Sequence, residues 1–171
     1  MQACSIGGIR CGVGVEFHRT KRTLDPCVFQ PLAGLHRRII KEYEEADRQF
    51  KLAHNAIFRT DVKNNVGNVL RQMPRFREAH KYLSEARRLA LIIKDKSVVA
   101  QIDDTRAQLL NDEGRFEEAE IIARSSVSSL RKSGHQILLV DSLITHGIAL
   151  ARLGRKDQAQ FTLSECYGVS P

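Results

Sequence analysis

One alanine recurs in a fixed setting four times, and that recurrence restricts the fold more than any other feature. The segments are "EYEEADRQFKLA" (Glu42–Ala53), "RFREAHKYLSEA" (Arg75–Ala86), "RFEEAEIIARSS" (Arg115–Ser126) and "RKDQAQFTLSEC" (Arg155–Cys166). Their anchor alanines, Ala46, Ala79, Ala119 and Ala159, are separated by 33, 40 and 40 residues. Twelve residues before each alanine stands a small residue: Gly34, Gly67, Ala107 or Gly147. Four residues after it stands Phe50, Leu83, Ala123 or Leu163, and three further on Ala53, Ala86, Ser126 or Cys166. Periods of this length mark chains built from stacked supersecondary units, none of which buries its apolar face alone.

Each unit reads as two helices. The first holds the small residue. In "QIDDTRAQLLNDE" Ile102, Leu109 and Leu110 fall at i, i+7 and i+8, and Leu143, Gly147, Leu150 and Ala151 follow a similar spacing, so both form helical stripes. A breaker follows: Pro74, Gly114 or Gly154. Glycine ends a helix by taking positive φ, and proline suits the first turn of the next helix. The second helix carries the alanine. A glycine inside a helix costs about 1 kcal/mol against alanine, so one repeated in register implies a gain from close helix contact. The expected fold is all-α: an α-solenoid of antiparallel helix pairs, about four repeats over residues 28–171. Residues 1–27 form a basic segment with no repeat and no clear helical period.

These positions resemble the tetratricopeptide repeat. That family's pattern has a small residue in the first helix, an aromatic early in the second, and alanines further along it. The aromatic positions here are Tyr43, Phe76 and Phe116, with Lys156 in the last unit, and the resemblance covers about residues 28–167. The usual period is about 34 residues, so spacings of 40 match the longer-helix variety found in kinesin light chains and bacterial regulators. The family's proline after the second helix is absent, in keeping with second helices that run on through "ARRLALIIKDK". A pentatricopeptide RNA binder shares "GRxEEA", but its period is shorter and the opening of its helix does not match.

The resemblance implies a right-handed superhelix whose first helices line a concave groove. Groove residues are then Asp61, Asn64, Asn68 and Arg71, with Asn65, in the second unit. In the third they are Gln101, Asp104, Gln108 and Asn111, with Thr105. In the fourth they are Asp141, Ile144, Ile148 and Ala151, with Thr145. One end is amide-rich, the other apolar. Asn and Gln both donate to and accept from a peptide backbone, and an apolar patch takes an anchor side chain. Chaperone-binding relatives clamp a terminal carboxylate with lysines that are missing here, so that ligand is not expected.

Charge and composition exclude other classes. The net charge is +7, but residues 1–41 carry seven Lys/Arg against two Asp/Glu, +5, and residues 42–171 carry twenty against eighteen, +2. The repeat surface is charge-balanced, and nucleic acid is not the expected partner. No apolar run approaches the roughly 18 residues of a membrane span. Arg10 and Glu16 spoil the start as a signal peptide, so the chain reads as cytoplasmic. Cys4, Cys11, His18 and Cys27 lack the close pairs of a zinc site and read as unligated.

"GRFEEAE" places Glu117, Glu118 and Glu120 together, but a helical wheel puts Phe116, Ala119, Ala123, Ser126, Val127 and Leu130 on one face and the glutamates outside it. They are expected to point to solvent, with Glu120 four residues before Arg124 as an ion pair. His146 is expected to be partly buried. No nucleophile triad is evident, and "SIGGIRCGVG" lacks the Lys-Ser/Thr ending of a phosphate loop. The chain is therefore expected to be no enzyme, to need no cofactor or metal, and to bind a protein or peptide as a scaffold. The alternative is a ligand- or peptide-sensing domain of a larger transcriptional or signalling regulator. "YGVSP" follows the last unit without a polar capping helix, which leaves one side of Leu163 and Cys166 open. That end suggests a longer array or self-association.

Overall fold

Helices begin at Ala56, Phe76, Lys96, Phe116, Gln136 and Lys156, twenty residues apart each time. The structure, a computed structural model, describes residues 26–166 and 168. Among these residues there are seven helices and no strand: α1 (Pro26–Leu52), α2 (Ala56–Gln72), α3 (Phe76–Ile93), α4 (Lys96–Glu113), α5 (Phe116–Ser133), α6 (Gln136–Arg152) and α7 (Lys156–Glu165). The basic stretch before Pro26, with Cys4, Cys11 and His18, lies outside the described residues, as does most of "YGVSP".

Two kinds of junction alternate. Between α4 and α5, and between α6 and α7, Gly114 (φ 79°) and Gly154 (φ 77°) adopt the left-handed region open to a residue without Cβ. Pro74 takes the corresponding place after α2 at φ 30°, far from the −65° or so that its ring prefers. It stands in the turn, two residues ahead of α3, rather than in the first turn of that helix as the sequence suggested. Arg75 and Arg115 come next. Their side chains do not cap the helix; they fork onto Glu78 at 2.7 and 2.6 Å and onto Glu118 at 2.7 Å. Entry to α2 and α4 is capped conventionally. Asn55 Oδ1 accepts from the Phe58 N–H at 3.2 Å, and Asp95 Oδ1 accepts from Ser97 and Val98 at 2.8 and 3.2 Å.

The first unit is not a helix pair. Gly34 and Ala46 lie on a single 27-residue helix, α1. In the later units the breaker falls five residues before the anchor alanine; before Ala46 that position is Lys41, a good helix former. A Cβ added at Gly34 would meet nothing within 4 Å, so this glycine seats no neighbour. Three pairs follow α1: α2–α3, α4–α5 and α6–α7.

Inside the pairs the small residues do seat neighbours. A Cβ on Gly67 would lie 2.6 Å from Leu83 Cγ, and one on Gly147 would lie 2.7 Å from Leu163 Cγ. Each leucine follows its glycine by sixteen residues. The same offset in the middle pair joins Ala107 and Ala123, both fully buried. Glycine goes with leucine and alanine with alanine, which keeps the combined side-chain volume in bounds at a close-packed seam. Around the first seam, Val62, Val66, Leu70, Ala79 and Leu83 form a core closed from the α1 side by Ile40, Tyr43 and Phe50.

Successive helices pack on each other, and the even-numbered row is the tighter one. α2 approaches α4, and α4 approaches α6, along their backbones. The odd-numbered row is spanned by long side chains, with Tyr82 Oη donating to Glu44 at 2.8 Å between α3 and α1 and Arg131 reaching Glu165 between α5 and α7.

The residue after each of the first three anchor alanines links one unit to the next. Asp47 pairs with Arg59 at 3.0 Å and Lys63 at 3.3 Å, His80 meets Glu113 at 2.9 Å, and Glu120 meets His146 at 3.2 Å. Glu120 therefore departs from the expected outward orientation; it is 8% exposed. A wheel of α5 alone puts it just beyond the core face, but α6 lies over that edge and His146 meets it there. Glu117 and Glu118 are exposed, and the Arg115 guanidinium holds the Glu118 carboxyl below its usual value. His146 is partly buried, as expected.

Candidate binding groove

Helices α2, α4 and α6 present one face together, and a cleft of about 250 Å³ opens across it. Its walls include Arg71 from α2, Gln108, Asn111 and Asp112 from α4, and Asp141, Ile144, Thr145 and Ile148 from α6. The volume lies below the roughly 300–1,000 Å³ of small-molecule sites and suits one or two side chains of a partner.

The groove's donors are committed internally. Arg71 donates to Asp112 Oδ2 at 2.6 Å and, through Nε and Nη2, to Asn68 Oδ1 at 3.1 and 2.9 Å. Gln108 Nε2 donates to Asp104 Oδ2 at 2.9 Å and lies 3.5 Å from Thr145 Oγ1. Asn111 Nδ2 donates to the Thr145 carbonyl at 3.3 Å, and Thr145 Oγ1 donates to the Asp141 carbonyl at 3.1 Å. The Gln108 and Asn111 contacts to Thr145 join α4 to α6, beside an apolar cluster of Leu110, Ala119 and Ala149.

The acceptors are not all matched. Among the described residues, Asn64 Oδ1, Asp104 Oδ1 and Asn111 Oδ1 are buried without a hydrogen-bond partner, as is the Ser142 hydroxyl. A buried polar atom left so costs about 1–3 kcal/mol. Asp104 is the most strained of them. It is 6% exposed, and burial pushes its carboxyl from 3.8 up to about 6. The hydroxyls of Thr145 and Ser142 and the Gln108 amide offset part of that shift, while the Asp141 carboxylate adds to it. Near neutral pH the group is mostly ionised, and no cation pairs with it among the described residues. A displaced carboxyl beside a cleft marks a candidate functional site.

The groove residues named from sequence divide into those the cleft gathers and those it does not. Arg71, Gln108, Asn111, Asp141, Ile144, Thr145 and Ile148 line it. Asn68 holds Arg71 in place, and Asp104 anchors Gln108 from behind. Asp61, Asn65, Gln101 and Ala151 are exposed away from the lining, and Thr105 is buried, donating to the Gln101 carbonyl of its own helix at 3.3 Å. Asp112 was missed. Its signal lay in register: one 40-residue period after Arg71 is Asn111, and Asp112 is its neighbour, within reach of the guanidinium.

A larger cleft, about 340 Å³, opens between α3, α4 and α5. Its central charges satisfy one another: Asp103 takes Arg87 at 2.8 Å and Arg106 at 2.7 Å. The α2–α4–α6 face, with its unmatched acceptors, is the better candidate. Compared with known proteins, the chain matches no protein-family model, and no curated protein matches it. No described helix is long and apolar enough to cross a membrane.

Proposed function

We propose that the three helix pairs form a right-handed α-solenoid of the tetratricopeptide type, and that its α2–α4–α6 face binds a peptide or protein segment. The chain then works by assembly, not by chemistry. The closer approach of the even-numbered helices supports the first half, because the tighter row of a curved stack lies on its inside. One observation carries the second half: the even-numbered row holds the cleft and, beside it, a buried carboxylate that no cation among the described residues neutralises. Packing alone favours an apolar or paired group there. A binding surface accounts for the charge kept there, because its field reaches the cleft beside it and favours a cationic partner.

The test is a double variant, Asn68→Ala with Gln108→Ala. It releases Arg71 and Asp104 from their supports and leaves the seams untouched. Binding of a captured partner should weaken while the circular dichroism spectrum stays helical. Unchanged binding by a folded variant would remove this face as the site.

A further inference from the structure

The chemistry of the groove is one-sided, and this narrows what fits it. Its hydrogen-bond donors on Arg71, Gln108 and Asn111 each have an acceptor, whereas among the described residues the buried Asp104 Oδ1 and Asn111 Oδ1, and the Ser142 hydroxyl beside them, have no partner. Two carboxylates, Asp112 and Asp141, line the cleft against one guanidinium, Arg71, and Asp104 lies buried behind Gln108, so the site is negative on a chain whose net charge is +7. Arg71 is bound to Asp112, which leaves Asp104 and Asp141 without an ion pair among the described residues. A carboxylate or phosphate ligand would meet like charge here. No three of the described His, Cys, Asp or Glu side chains are arranged to hold a metal ion. Beside the acids, Ile144 and Ile148 are 42% and 44% exposed, one helical turn apart on the same face.

We propose that the groove receives a protein segment that presents a lysine or arginine beside an aliphatic residue. The cation meets Asp141 at the rim, and the aliphatic side chain rests on Ile144 and Ile148. This inference rests on the reading of the α2–α4–α6 face as a binding surface. Lysine and arginine carry donors only, which suits the Asp141 carboxylate, exposed in the cleft wall and without an ion pair among the described residues. Charge complementarity also supplies the specificity, since it repels acidic segments and steers basic ones.

A display selection of random dodecapeptides against the full chain, followed by fluorescence anisotropy of the enriched peptides, tests it. Enriched sequences should carry Lys or Arg within four positions of Leu, Ile or Met. Their binding should weaken about tenfold in Asp141→Asn, further in Asp141→Lys, and also with added salt. Asp141 is exposed and unpaired, so neither variant should disturb the fold, and a thermal melt checks this. Ile148→Asp should abolish binding altogether. Peptides that depend on Ile148 but show no excess of Lys or Arg, or that bind Asp141→Lys as well as wild type, overturn the cation while the groove stands. A selection that yields no Ile148-dependent peptide overturns both.

Discussion

Glu120 on α5 and Asp104 on α4 are 8% and 6% exposed. Glu120 meets the imidazole of His146 at 3.2 Å and the guanidinium of Arg124 at 3.5 Å. Asp104 meets an amide, hydroxyls and another carboxylate. The first sits where one unit is joined to the next, and its neighbours resolve its charge. The second sits behind the shared face of α2, α4 and α6, where neutral groups offset part of its burial and no cation among the described residues pairs with it. The seams of the helix pairs belong with Glu120: Gly67 accommodates Leu83, and Gly147 accommodates Leu163. The difference separates what stabilises the stack from what the stack holds ready.

If the seams are fitted, disturbing one should have the largest effect. Leu83→Ala should lower stability by about 3 kcal/mol in chemical denaturation, as deletion of a buried leucine does. Gly67→Ala should lower it by about 1–2 kcal/mol, with the overpacking only partly offset by better helix propensity. Together they should cost less than the sum, by about 1–2 kcal/mol, because alanine paired with alanine is the solution already used at Ala107 and Ala123. Strict additivity would show that the seam is not a fitted pair.

The two carboxylates should respond in opposite directions. At pH 7.5, Asp104→Asn should raise stability by about 2 kcal/mol, because the folded state holds its proton up to about pH 6 and pays for ionisation above that. The sign follows from the raised value. Well below pH 4 both states are protonated and the penalty is absent; it grows between about pH 4 and pH 6, where only the unfolded state has lost its proton, and is constant above, so the advantage of the variant should shrink to near zero by pH 4. Glu120→Gln removes a paired charge and should lower stability by about 1 kcal/mol. If both variants shift the same way, the contrast fails.

Gly34→Ala should have the smallest effect, a gain of about 0.5–1 kcal/mol from helix propensity alone, since its Cβ meets nothing. A loss at this site would mean that Gly34 does seat a neighbour, as Gly67 does.

Much of the fold was legible because the alanine register repeats every 40 residues, and one helix wheel per unit accounts for Ala119, Ala123, Val127 and Leu130. The small residue twelve positions upstream marked a seam in three units. It misled in the first, where Lys41 stands in place of a breaker and two expected helices run together as α1. The groove was legible as a set of positions, of which Arg71, Gln108, Asn111, Asp141, Ile144, Thr145 and Ile148 share one cleft. Its energetics were not. Whether Asp104 has a cation depends on side chains of α6 nearly 40 residues away, and the burial of Glu120 depends on α6 covering α5. A single-helix wheel contains neither neighbour. The Arg71–Asp112 pair escaped for the same reason, joining residues 41 apart.

The central claim is that the α2–α4–α6 face holds a charge the fold leaves uncompensated. The most direct measurement is an NMR titration of the Asp104 side-chain carbonyl carbon in the folded chain. A midpoint near pH 6 is the predicted result. A midpoint at or below the ordinary aspartate value, about 3.9, would mean that the group is fully compensated and that the groove is an ordinary solvated face.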